Sequence, residues 1–129
     1  MKLNKKEIES VSKLVPYKRY KYFIKKIVDF EELWTLVDKN NNIALSNVDD
    51  KVLVSFWTAK DFIESNLDDN WKGFIPFKMN IDHLEEKIFP LIVENNYLIN
   101  VFPVNGKSGF VVNINEFVRD LNEELEQYE

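Results

Sequence analysis

A chain of 129 residues, 45% apolar and 14% aromatic, carries enough apolar mass for one filled core and is too apolar to remain unfolded. It has no cysteine and a single histidine, His83, which excludes disulfides, thiol nucleophiles, thiolate metal sites and any two-histidine metal site. The net charge of −5 is divided by position: residues 1–28 hold nine basic side chains against Glu7 and Glu9, a net of +7, and the remainder holds −12.

Asn4 followed three residues later by Glu7 reads as a capping box, with Asn in place of Ser or Thr. Ile8, Val11, Leu14 and Val15 then mark a short amphipathic helix. Pro16 ends it and suits the first position of a second helix. There Tyr20, Phe23, Ile24 and Ile27 have the spacing of a buried stripe. Lys18, Arg19, Lys21, Tyr22, Lys25 and Lys26 fall on the other side, a basic face with one aromatic.

Three strands are expected next, over residues 33–37, 43–46 and 51–57, separated by the turn clusters at 39–42 and 47–50. Connections this short imply antiparallel pairing. Thr58 suits the N-cap of a helix through Asn66, with Phe62, Ile63 and Leu67 inward, and Asp68, Asp69 and Asn70 stop it. Residues 71–77 contain Gly73 and Pro76, so a strand there belongs at a sheet edge. Asn80 caps a helix whose stripe is Ile81, Leu84, Ile88 and Leu91, and Pro90 inside it should kink or restart it. Residues 97–102 and 110–114 form strands around a turn at 105–109. Asn113 or Asn115 caps a last helix that buries Phe117, Val118, Leu121 and Leu125, with Tyr128 on the same face, and presents Glu116, Asp120, Glu123, Glu124, Glu126 and Glu129 outward. The order is ααβββα(β)αββα. It predicts an α+β fold in a single domain, 1–129, with a mainly antiparallel sheet of about five strands flanked by helices and residues 1–15 as an N-terminal helical extension.

Candidate chemistry is sparse. Gly106-Lys107-Ser108 lacks the earlier glycine and the following helix of a phosphate loop, so it reads as a turn. His83, beside Asp82, Glu85 and Glu86, reads as a surface residue without a nucleophile to serve. The carboxylate pairs Glu31-Glu32, Asp49-Asp50, Asp68-Asp69, Glu85-Glu86 and Glu123-Glu124 are adjacent in the chain, whereas hydrolases set two carboxylates across a cleft. The Asp49-Asp50 and Asp68-Asp69 turns lack the spaced oxygen ligands of a calcium loop. No metal, cofactor or catalytic residue is assigned. Trp34, Trp57 and Trp71 are expected in the core or at a sheet edge, and Trp71, between a polar turn and Gly73, is the leading interface candidate.

Arg19-Tyr20 with Phe23, Trp34, Phe56-Trp57 before Phe62, Trp71 with Gly73 and Pro76, Val101-Phe102-Pro103 with Gly109 and Val111, and the ending Leu121, Glu124, Leu125, Tyr128 form one pattern. From about Arg19 to the C-terminus the chain resembles the bacterial family catalogued as domain of unknown function 2750. The resemblance implies a compact bacterial cytoplasmic domain and carries over no activity and no catalytic residues.

The residues favour a small non-enzymatic cytosolic protein that binds another protein through an acidic surface, an immunity or inhibitor protein against a basic toxin being the concrete form. Trp71, Asp68, Asp69, Asp49, Asp50, Glu85 and Glu86 are its interface candidates. The alternatives are nucleic-acid or anionic-surface binding through the basic helices, which the net negative charge disfavours, and an enzyme with a site lined by carboxylates or tyrosines. No apolar run of membrane-spanning length and no signal-peptide pattern is present, so a soluble cytoplasmic protein is expected, a monomer or weak dimer.

Overall fold

A computed structural model describes residues 3–66 and 71–128. Asn4 caps helix α1 (Lys5–Ser12) by accepting the Glu7 N–H at 2.8 Å. Pro16 opens α2 (Pro16–Phe30), whose buried side is Arg19, Tyr20, Phe23, Ile24, Ile27 and Val28. Strands β1 (Glu32–Val37), β2 (Ser46–Val48) and β3 (Lys51–Phe56) follow, then α3 (Lys60–Asn66), β4 (Ile75–Asn80), α4 (Ile81–His83), a π-turn (Leu84–Ile88), α5 (Phe89–Asn95), β5 (Leu98–Val101), β6 (Phe110–Val112) and α6 (Ile114–Tyr128). The element order is the expected one, and the fold is α+β.

The strands form two sheets. One has the order β2-β3-β5-β6, the other pairs β1 with β4. Three pairings are antiparallel, and β3 with β5 is parallel. The parallel pair follows from the long crossover through α3, β4 and the α4–α5 helix, which returns the chain to the same end of the sheet. The sheets are stitched where Trp34 and Trp57 exchange both backbone N–H···O bonds at 2.8 Å.

Several elements depart from expectation for local reasons. The short link after β1 turns back antiparallel as expected, with Asp38 N–H on Asn42 O at 2.9 Å and Ala44 N–H on Leu36 O at 2.8 Å, but the ladder ends there. Asp38 folds over the Asn40 and Asn42 N–H groups, leaving one bridge between Val37 and Ile43, and the second strand begins three residues later than expected, at Ser46. On its other edge β1 pairs with β4 along its whole length, Glu32 opposite Asn80 to Val37 opposite Ile75. β4 is an edge strand, so Pro76 forfeits no second ladder. Helix α3 begins at Lys60, two residues beyond Thr58. Before Pro90, which has no N–H to donate, the helix widens by one residue, and Phe89 N–H reaches the Leu84 carbonyl. That extra residue moves the buried stripe from Leu91 to Ile92, in line with Leu84 and Ile88. Asn113 is the cap of α6: its Oδ1 accepts the Glu116 N–H at 2.8 Å and its Nδ2 donates to the Glu116 carboxylate at 3.3 Å.

One face of the four-stranded sheet presents Val54, Phe56, Ile99, Val101 and Val112 to α2 and α6. Phe23, Phe56 and Phe117 meet there with ring centroids 6.1–6.5 Å apart. They are part of one continuous buried core, whose burial stabilises the fold at about 25 cal/mol per Å² of apolar surface. The opposite face carries a buried polar pair, Ser55 and Asn100, in direct register across β3 and β5. That face bears the candidate site.

Candidate functional site

β5 does not continue to Phe102 as a strand. Phe102 turns into the left-handed region at φ 64° while fully buried, a conformation costing a bulky residue roughly 1–2 kcal/mol. Three hydrogen bonds hold the turn. Phe102 N–H donates to Phe56 O at 2.8 Å, Arg19 Nε donates to Phe102 O at 3.2 Å, and Trp57 Nε1 donates to Pro103 O at 2.8 Å. The chain then makes a two-residue turn at Asn105 and Gly106, both at positive φ, with Val104 and Lys107 exchanging backbone bonds at 2.9 and 3.2 Å. Gly109 brings it back beneath β5, and its N–H donates to Asn100 Oδ1 at 2.8 Å.

This wall encloses a groove of about 450 Å³ with β2, Ile63 and Trp71. Leu45, Val48 and the half-buried Trp71 supply accessible apolar surface over a floor of buried Trp57, Ile63 and Val104, and Asn47, Asn100, Lys107 and Ser108 supply polar groups. Leu45 and Val48 remain 40% and 42% exposed, although both are large and apolar. Asn100 is buried, and with Oδ1 taken by Gly109 its remaining function is the Nδ2 donor. Among the described lining residues, Lys107 is the ionisable one. The groove lies within the size range of ligand sites, with convergent polar groups on an apolar ground.

The structure brings together residues that the sequence kept apart. Trp71 is half-buried on this groove with its ring 6.0 Å from Phe74. Gly106-Lys107-Ser108 is a hairpin turn, as read, yet it forms the rim. Asp49 and Asp50 are exposed in the turn just after Val48. Glu85 and Glu86 are exposed on the π-turn and do not line this groove. Asp68 and Asp69 lie outside the described residues, as does Leu67. His83 lines a separate cavity of about 190 Å³ with Thr35, Phe77 and Met79, its ring 5.8 Å from Phe77. Asn100, Asn47 and Trp57 were not singled out in the sequence as site residues. The available signal was Asn100 itself, a polar residue at an inward position of an otherwise apolar strand.

The basic face is smaller than helical spacing predicts. Arg19 is buried, with its guanidinium on three carbonyls: Phe102 O, Leu14 O at 2.5 Å and Ser12 O at 3.5 Å. Burial pulls its pKa below the usual arginine value. It is diverted inward because the carbonyls at the end of α1 have no helical partners and a cation suits that end of the dipole. Tyr22 is half-buried, and its hydroxyl donates to Glu7 at 2.9 Å. Lys26 lies over the Tyr22 and Phe30 rings at 5.5 and 5.4 Å. Lys21 and Lys25 line a groove of about 430 Å³ opposite Glu116, Asp120, Glu123 and Glu124 of α6. The two charge blocks therefore meet within the chain, but across space. Among the described residues the ion pair within 4 Å is Arg119–Asp120 at 3.2 Å, and Tyr20 OH donates to Asp120 at 2.5 Å.

No group of three or more His, Asp or Glu residues able to hold a metal ion occurs among the described residues. Among them, too, no helix is long and apolar enough to cross a membrane. Residues 20–121 match the family described as "Protein of unknown function (DUF2750)", and the chain belongs to that family. A search of curated proteins finds no match. The match begins just after Arg19, so α1 and the residue that clasps it precede the family region.

Proposed function

We propose that this protein is a non-enzymatic binding module that receives a segment of a partner protein in the groove walled by β2, Trp57, Trp71 and the 103–108 turn. The observation that carries this reading is the groove's construction. Half-buried Trp71 and the exposed side chains of Leu45 and Val48 face a wall whose strained backbone is held by three separate hydrogen bonds, one of them from the buried Trp57. Preorganisation lowers the ordering cost of association, and tryptophan is enriched among residues that dominate binding energy. Among the described lining residues, groups capable of acid–base exchange are few, which supports binding over catalysis.

Asp49 and Asp50, next to Val48 of the groove, favour a partner segment with a lysine or arginine beside its apolar anchor. An immunity or inhibitor protein acting on a basic toxin domain in the cytoplasm is one specific form of this proposal. Binding of nucleic acid through α2 is less well supported, because Arg19 is buried and Lys21 and Lys25 face the carboxylates of α6.

Selection from random-peptide libraries, displayed in one set with free C-termini and in another with the C-terminus fused, tests the reading. Enrichment of apolar-plus-basic sequences whose binding is lost in Trp71→Ala and in Val48→Lys, and weakens with salt, supports it. Absence of enrichment in both sets, or NMR shifts that map to the α2–α6 groove, overturns it.

A further inference from the structure

Resting on that reading, we propose that the groove captures the free C-terminus of its partner, with an apolar last side chain against Trp71 and Val48 and the terminal carboxylate on the Lys107–Asn100 side. Three independent features of the groove converge on this end group.

The first is charge. Lys107 is the formal charge among the described lining residues, and it is exposed on the turn, with no ion-pair partner within 4 Å among those residues. An internal peptide segment offers it a neutral carbonyl, whereas a C-terminus offers a full negative charge and a charge-assisted hydrogen bond. The second is the direction of the polar groups. Asn100 is 4% exposed, and the Gly109 N–H occupies its Oδ1, so the group it has left is a donor. The Ser108 hydroxyl is a further donor on the same rim. Lysine, the Asn100 amide and serine together suit an acceptor-only ligand group, and a carboxylate is one.

The third feature is the edge of the sheet. β2 is the terminal strand of its sheet, and Val48 and Lys51 flank the two-residue Asp49–Asp50 turn. Alternation along an antiparallel pair turns the backbone groups of Ser46 and Val48 toward β3 and those of Asn47 outward. Ser46, Asn47 and Val48 all line the groove, so an extended peptide can pair with Asn47 while its last side chain enters the apolar part. A small free acid would leave that edge unused, which favours a polypeptide as the source of the carboxylate.

The test takes the sequences enriched in the selection and synthesises each with a free C-terminal acid and with a C-terminal amide. Binding is followed by NMR titration of the full chain, read at the Trp57 and Trp71 indole N–H groups and the 106–108 amides. The acids are expected to bind at least tenfold more tightly than the amides, and Lys107→Gln to narrow that ratio severalfold, the Asn100 and Ser108 donors retaining the remainder. Lys107 is exposed, so this variant is not expected to disturb folding. Equal binding of acid and amide in the unmodified protein overturns the C-terminal inference and leaves the groove reading standing. Peptides that enrich but shift only residues elsewhere overturn both. A third arm uses 3-phenylpropionate: if it binds as tightly as the best peptide acid, the carboxylate comes from a small molecule and the polypeptide assignment falls.

Discussion

At Gly109 an added β-carbon would sit 1.9 Å from the Val101 carbonyl oxygen, closer than any non-bonded pair tolerates. Backbone must move to admit it, and the strand that would move carries Asn100 and the start of the groove wall. Gly109→Ala is therefore expected to cost about 2–4 kcal/mol in denaturant unfolding, within the range for steric insertion at packed sites. Gly73 is the control. Its β-carbon would meet nothing within 4 Å, but its φ of 92° disfavours any other residue, so Gly73→Ala is expected to cost only about 1–2 kcal/mol. The tyrosines supply a second residue-scale test. The pKa values of Tyr20 and Tyr22 are both pushed above the tyrosine range, first by burial and then by hydrogen bonds to Asp120 and Glu7 respectively. A raised native pKa means the protonated phenol stabilises the fold fully below the unfolded value of about 10, and this contribution is lost as pH rises beyond it. Absorbance titration at alkaline pH should show Tyr20 and Tyr22 ionising only as the chain unfolds. Tyr20→Phe should flatten the fall of stability above pH ~10, and an unchanged slope would contradict the assignment.

Among the elements, α6 shows what periodicity can and cannot supply. Its amphipathic spacing is legible in the sequence, and so is a cap at Asn113 or Asn115; the structure takes Asn113, buries Phe117 and Leu121, only half-buries Val118 and Leu125, and leaves Tyr128 exposed because the helix end runs past the core. The partner is not legible. Phe117 meets Phe23 of α2, Phe56 of β3 and Phe89 of α5, three elements distant in the chain, with centroids 6.0–6.2 Å away. Phe117→Ala should cost about 3–5 kcal/mol, with the loss of one cooperative transition rather than local fraying of α6. The helix around Pro90 teaches the complementary lesson. Proline announces an interruption, but whether it kinks, stops or widens the helix depends on which register keeps apolar side chains inside. Here a one-residue insertion puts Ile92, not Leu91, in the core. Strand pairing was the least legible feature. β1 pairs on one edge with β4, distant in the chain, and on the other meets Trp57 and the 42–44 segment, and pairing energy is carried by cross-strand contacts that have no local signature.

On the scale of the whole molecule, the separated charges are opposed but barely paired. Lys21 and Lys25 look across a groove at the α6 carboxylates, and these charges are mostly exposed. Exposed charges at such separations are screened within a Debye length of about 10 Å at 0.1 M salt. Raising salt to 1 M should change unfolding free energy by less than about 1 kcal/mol, measured by urea titration. A larger loss would show that the two helices are held by their charges rather than by the aromatic core. Composition, charge division, element order and the α+β class were fixed by the amino-acid order, because apolar spacing, caps and breakers act within a few residues. The groove was decided by the tertiary structure. Val48, Trp57, Trp71, Asn100 and Lys107 lie up to 59 positions apart in the sequence and become neighbours only when β3 and β5 pair in parallel and the left-handed turn at Phe102 is held by Arg19 and Trp57 donating to Phe102 O and Pro103 O and by Phe56 O accepting the Phe102 N–H. Contacts of that kind depend on the whole chain closing at once, so no local window of residues contains them.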